Sequence, residues 1–312
     1  MLVAAMLLAA APADPKTFEL QGHLQPPGRA AVSLYGATSP FSSSTLADHR
    51  GRFLFRRLLP GPYTVAVFLP GRGEGRRTIE VGPGSAGARG KVTIHIDLSD
   101  SRLVSDQVLR RRNLVSAREL AIPEQAHREY ANAQKKLSRR DTAGAIAHLE
   151  QAVRLAPQFA VAWNNLGTIA YQSRNFRQAE THFRQSLEQD PEAFEPLVNL
   201  GGVLLTLEQM DEALQYNQYA VLVRPQDALA NSQLGMNYFY LADLDRALKH
   251  LTTARSLDPA HFSHPQLLIA EIHLRRNNPA AAAAELEDFL RRHPDWPQAA
   301  QMRENIAKLR RE

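Results

Sequence analysis

Hydrophobic and polar positions divide the chain into two stretches of different period. From residue 15 to 98, short runs rich in β-branched and aromatic residues recur between Gly, Pro and Ser. They predict strands over Thr17–Leu24, Ala30–Tyr35, Ser44–Ala47, Arg52–Arg56, Tyr63–Phe68, Arg77–Val81 and Lys91–Leu98. Seven strands with turn signals between them imply an all-β sandwich. Val92, Ile94 and Ile96 alternate with Thr93, His95 and Asp97, so one face of that strand is buried. Asp48-His49-Arg50-Gly51 supplies a tight connection in which Gly51 takes positive φ.

From 126 onward the period changes to that of amphipathic helices, and the helices themselves repeat. Pro157, Pro191, Pro225 and Pro259 stand 34 residues apart, and so do Gly167, Gly201 and Gly235, and Leu166, Leu200 and Leu234. Ala145, Ala179, Ala213 and Ala247 form another such column. Each unit pairs two helices: small residues at the crossing let the backbones approach, and proline stops the second helix. Two helices cannot bury both faces alone, so the units must stack. The units run Ala126–Phe159, Ala160–Ala193, Phe194–Asp227, Ala228–His261 and Phe262 to about Asp295, and Gln298–Arg310 reads as a solvating cap.

Both stretches resemble known families. Trp163-x-x-Leu166-Gly167 through Ala179, Phe183 and Pro191 looks like a tetratricopeptide repeat. The first unit departs, with Asn132-Ala133 in place of Leu-Gly, and the fifth has Leu268-Ile269 and one extra residue. Asp48, Gly51, Phe53, Phe55, Leu58, Pro60-Gly61, Tyr63, Val65 and Val67 resemble the carboxypeptidase-regulatory-like domains, transthyretin-like Greek-key sandwiches within the carbohydrate-binding-like folds. That resemblance implies a non-catalytic accessory on an exported protein. The expected fold is therefore multidomain: a Greek-key β-sandwich over 14–98, a linker over 99–125, an all-α solenoid of five repeats over 126–296, and a capping helix over 297–312.

Composition narrows the chemistry. The chain has 312 residues, 44% apolar and 22% charged, with no cysteine, so disulfides, thiolate metal sites and thiol catalysis are excluded. Its net charge of +5 belongs to the first half, where residues 14–98 carry 11 basic and 6 acidic side chains spread over turns. No nucleic-acid surface is expected from so dispersed a pattern. Nor does any run reach the roughly 20 apolar residues of a membrane-spanning helix. Met1–Ala13 is apolar and ends Ala11-Pro12-Ala13, which predicts a signal peptide and a periplasmic or extracellular location, although no Lys or Arg precedes the apolar run. The linker's Arg110-Arg111-Arg112 reads as a solvated connector.

No catalytic constellation stands out. None of the eleven histidines has Glu three residues after it, as a zinc carboxypeptidase needs, and no Gly-x-Ser-x-Gly elbow occurs. His261 and His264 are three apart but lack a third ligand, so no metal and no cofactor are expected. Gly71-Arg72-Gly73-Glu74-Gly75 reads as a hairpin turn rather than a phosphate loop.

The expected function is a non-catalytic exported scaffold or adaptor holding a protein or peptide in the solenoid's concave groove. Alternatives are a cell-surface module whose sandwich holds glycan, and an envelope assembly factor bridging two partners. The tetratricopeptide resemblance implies groove positions at Tyr130, Gln134, Asn164, Thr168, Tyr171, Val198, Ser232, Met236, Phe239, Tyr240, Gln266 and His273. Of the 25 places so assigned only Glu195 is charged, which predicts a neutral groove with Phe239 as an apolar anchor. The competing expectation is that some of these side chains pack between units, or that the sandwich or the linker covers the groove.

Overall fold

The computed structural model describes residues 16–69, 73–98, 104–105 and 121–311. The predicted signal segment and the Arg110–Arg112 run lie outside the described residues.

The strands are β1 Phe18–Gln25, β2 Ala31–Gly36, β3 Ser42–Leu46, β4 Arg52–Leu58, β5 Gly61–Leu69, β6 Gly73–Val81, β7 Lys91–Asp97 and the short β8 Val104–Ser105. They form a three-stranded sheet in the order β4-β1-β7 and a five-stranded sheet in the order β3-β2-β5-β6-β8. Alternation decides what lies between the sheets. Leu20, Val32, Leu34, Phe53, Phe55, Val65, Val67 and Val92 are buried in one core, while their neighbours along each strand point outward. Gly51 has φ 71°, and the Asp48 carboxylate accepts from the N–H groups of Arg50 and Arg52, both at 2.9 Å, which closes the turn.

Two expectations shift here. The strand predicted from Arg77 starts at Gly73, with Gly73 paired to Leu69, so Gly73–Gly75 is ladder rather than turn. A ladder needs backbone groups and not side chains, which is why glycines did not stop it. The linker also donates a strand, since Val104 and Ser105 pair with Glu74 and Gly73.

Eleven α-helices follow among the described residues: α1 Glu124–Ser138, α2 Thr142–Leu155, α3 Ala160–Gln172, α4 Phe176–Gln189, α5 Phe194–Thr206, α6 Met210–Val223, α7 Ala228–Tyr240, α8 Leu244–Leu257, α9 Pro265–Arg275, α10 Pro279–Arg292 and α11 Ala299–Leu309. Ala145, Ala179, Ala213 and Ala247 are fully buried, and Leu166, Leu200 and Leu234 nearly so. The turn inside each pair holds one left-handed residue, Arg140, Arg174, Glu208, Ala242 or Asn277. A polar cap follows it, and Asp141, Asp243 and Asn278 accept from the N–H groups of Gly144, Arg246 and Ala281. Every even-numbered helix from α2 to α10 ends two residues before a proline, with one residue between them as its C-cap.

Candidate partner-binding cleft

Helices α1, α3, α5 and α7 line the inner side of the stack, and the outer face of the five-stranded sheet stands against them. Side chains alternate along a strand, so Tyr35, Thr64, Arg76 and Thr78 face the helices while Leu34, Val65 and Ile79 enter the sandwich core. Between the two surfaces lies a cleft of about 870 Å³. Tyr130, Gln134, Asn164, Thr168 and Val198 line it from the helical side, so five of the sequence-assigned groove residues come together there.

The other seven are placed differently. Ser232 and Gln266 are fully buried: the Ser232 hydroxyl pairs with that of Ser263 at 2.6 Å, and the Gln266 amide donates to the Pro259 carbonyl at 2.7 Å. Phe239 is 8% exposed, belongs to the core between the fourth and fifth units, and carries the Arg275 guanidinium 4.5 Å from its ring centroid. It is therefore a packing residue and not an open anchor. Met236 packs against the core of the third unit, and His273 is half-buried on α9. Tyr171 and Tyr240 remain exposed, the former with its hydroxyl 3.3 Å from that of Thr206.

The sandwich covers part of the groove, and all five units hold it. In the first, Arg140 lies 4.7 Å from the Phe41 ring centroid and donates to the Tyr63 hydroxyl at 3.4 Å. In the second, the Gln172 amide donates to the Gly36 carbonyl at 3.0 Å. Arg76 of β6 donates to Glu195 of the third unit at 3.2 Å, and the Thr78 N–H donates to Asp258 of the fourth at 2.8 Å. In the fifth, His293 approaches Glu80 at 3.6 Å, and just beyond it Asp295 accepts from the Gly84 N–H at 2.7 Å.

Two of these contacts, Thr78–Asp258 and Glu80–His293, come from one column that the sequence does not single out, and its third member, Arg224, shares Glu195 with Arg76. Arg224, Asp258 and His293 are the C-caps of α6, α8 and α10, each directly before a proline, and they are 5%, 5% and 3% exposed. The prolines marked the column, but its residue types differ too much to form a motif. These side chains also overturn the neutral groove: helix ends bring charge into a face whose odd-numbered helices hold little. The Arg224 guanidinium lies 4.0 Å from the Phe194 ring centroid and 3.6 Å from Glu195. Burial, with Arg76 nearby, draws its pKa down to about 10. Burial raises the Asp258 carboxyl above its ordinary value, against the pull of the Thr78 hydrogen bonds.

The His261 ring pairs with the Ser263 hydroxyl at 2.6 Å, His264 packs among Phe289, His293 and Trp296, and no group of three or more potential ligands occurs among the described residues. Burial lowers the two imidazoles to about 3 and about 4.

Comparison with known proteins agrees with the helical repeats. Tetratricopeptide-repeat models match residues 130–176, 165–230 and 239–306. The human cell division cycle protein 16 homolog is 29% identical over 116 residues, which are 34% of this chain and 19% of that protein. The Drosophila melanogaster BBSome complex member BBS4 homolog is 28% identical over 120 residues, covering 38% of this chain and 25% of its own. The match thus spans a quarter or less of these relatives. Among solved structures, PilW, a widely conserved type IV pilus biogenesis factor, aligns over 60% of this chain and 86% of its own at 19% identity, with a TM-score of 0.53. MamA from Desulfovibrio magneticus RS-1 aligns over 57% and 99% at 22% identity, with a TM-score of 0.49. No helix among the described residues is long and apolar enough to cross a membrane.

Proposed function

Because the chain belongs to the tetratricopeptide-repeat proteins, whose models together match more than half of it, we propose that it is a non-catalytic scaffold that holds a protein or peptide partner. The observation that carries this reading is the cleft between sheet and helices, lined with amides and aromatic rings suited to peptide backbone and apolar side chains. Val161 is 47% exposed and lines the cleft, whereas Leu222, 74% exposed, is not among its lining residues. A photo-crosslinking residue at 161 should capture the partner in its native compartment, and one at 222 should not. Capture at 222 alone would refute the reading.

Two further assignments belong to the same proposal. The sandwich is of the carboxypeptidase-regulatory-like kind, supported by the Asp48 turn and the buried Phe53, Phe55, Leu58 and Tyr63. The protein is exported, supported by the apolar Met1–Ala13 with its Ala11-Pro12-Ala13 end. Mass spectrometry of the native protein tests the export step, and an N-terminus at Met1 would overturn it.

A further inference from the structure

Among the described residues strand β6 is open along most of one edge: β5 pairs with all of it, but β8 covers only Gly73 and Glu74. The Thr78 N–H points out of that open edge and is taken by Asp258. Alternate residues of β6 meet successive units of the solenoid. Arg76 reaches Arg224 through their shared partner Glu195, Thr78 reaches Asp258, and Glu80 reaches His293. The period of two along a strand is thereby matched to the period of one repeat along the solenoid, always at the residue before the proline.

The match is incomplete. Arg224 Nε and His293 Nε2 are buried without a hydrogen-bond partner. Buried polar groups in a permanent core are nearly always paired. A row with an unsatisfied atom on two of its three members has capacity that β6 does not use.

We propose that this pre-proline row is a strand-reading surface, filled in cis by β6. Its partner in trans is an extended segment with free backbone N–H groups and basic, hydroxyl and acidic side chains at positions i, i+2 and i+4. Such a segment binds by displacing the sandwich edge, by the logic of strand addition with repeat loops in place of a sheet. The inference rests on the scaffold reading and adds the row as a distinct element of the same cleft, because capture at residue 161 does not require the row.

The absence of cysteine makes the test clean. A Cβ at position 82 would stand 3.8 Å from the Asp295 Cβ, the separation typical across a disulfide. The full chain carrying Gly82→Cys and Asp295→Cys can therefore be locked by oxidation and released by reduction. Thr78→Pro removes the N–H given to Asp258 at an open edge, where proline is tolerated, and leaves the row intact. The probe is a labelled synthetic peptide with the sequence of residues 73–84. It should bind the Thr78→Pro chain at least tenfold tighter than the wild type, and the oxidised double-cysteine chain at least tenfold weaker than the same chain reduced. A peptide with the residues of positions 76 and 80 exchanged should lose at least tenfold. Should Thr78→Pro fail to fold, the Arg76→Ala, Glu80→Ala chain takes its place with the same expectation. Equal affinity in the locked and released chains, equal affinity for the exchanged peptide, or no binding to the opened chain would overturn the proposal.

Discussion

Gly201→Ala puts one methyl group where α5 crosses α6, and the structure shows what it strikes. A Cβ at this position would stand 2.0 Å from Asn217 Oδ1 and 3.0 Å from Asn217 Cγ. Asn217 is fully buried on α6, and its amide donates to Asn237 Oδ1 at 3.1 Å, so it cannot withdraw without breaking a buried hydrogen bond. Overpacking costs about 1–3 kcal/mol, and a buried polar group left unpaired adds about 1–3 kcal/mol. Helix propensity returns about 1 kcal/mol, since Ala replaces Gly. The net loss is then about 1–5 kcal/mol, and for a unit of this size 1 kcal/mol lowers Tm by roughly 2–4 °C. Thermal unfolding followed by far-ultraviolet circular dichroism measures it. The sharper assay is a double-mutant cycle with Asn217→Ala, which removes the obstructing amide. Gly201→Ala should cost less in that background by 1 kcal/mol or more, because contacting residues couple. Additive costs would show that Gly201 is not confined by Asn217 and would refute the close-crossing argument.

Phe239→Ala should cost about 3 kcal/mol of stability, the ordinary loss for a buried ring; an unchanged denaturation midpoint would return Phe239 to the groove. Stability should fall as pH drops from about 7 to 5. His261 and His264 are held neutral in the fold, while in the unfolded chain they take up protons below their ordinary value of 6.5. A lowered imidazole gives its full stabilisation above the unfolded value and loses it as pH falls toward the folded one, at about 1–2 kcal/mol each by pH 5. The raised Asp258 carboxyl acts in the opposite sense. A pH-independent midpoint in urea, or one unaffected by His261→Gln and His264→Gln, would contradict this. Asp227→Ala removes the carboxylate that accepts from the Ala230 N–H at 2.9 Å. It should cost about 1 kcal/mol, measured against Asp227→Asn, which keeps the cap.

The solenoid was legible because its information is local and repeated. Ala145 and its three successors, the glycines and the prolines each have one job, at 34-residue spacing, within the helix pair that encodes them. The sandwich was legible for a similar reason, since Phe53-x-Phe55 and Val92-x-Ile94-x-Ile96 announce a two-residue period. The turns inside the helix pairs were not, because Arg140, Arg174, Glu208 and Ala242 adopt left-handed φ without being Gly or Asn. Phe239 and Ser232 were misplaced for a different reason. Helix positions spaced three and four apart lie on one broad face, and that face is shared between the groove and the next unit. Spacing cannot say which side of the boundary a residue takes.

The sandwich in the groove was the least legible feature, and it changes what the repeats can do. Thr78 and Asp258 are 180 residues apart, and no period or motif links them. Docking at this surface sets terms of like size against each other. The charge-assisted bonds Arg76–Glu195, Thr78–Asp258 and Gly84–Asp295 are worth roughly 1.5–3 kcal/mol each. Against them stand the desolvation of Arg224 and Asp258 and two unpaired atoms, Arg224 Nε and His293 Nε2, at roughly 1–3 kcal/mol each. A surface balanced in this way differs from the cores on either side of it, where Leu20, Val32, Leu149 and Leu200 lose water without any such penalty. The two cores hold the two folds, and the weaker polar seam between them is where the molecule can open. A scaffold that keeps its binding row filled by its own strand exposes no unpaired carboxylate or guanidinium while it waits. It yields the row only to a segment that satisfies those groups better than β6 does.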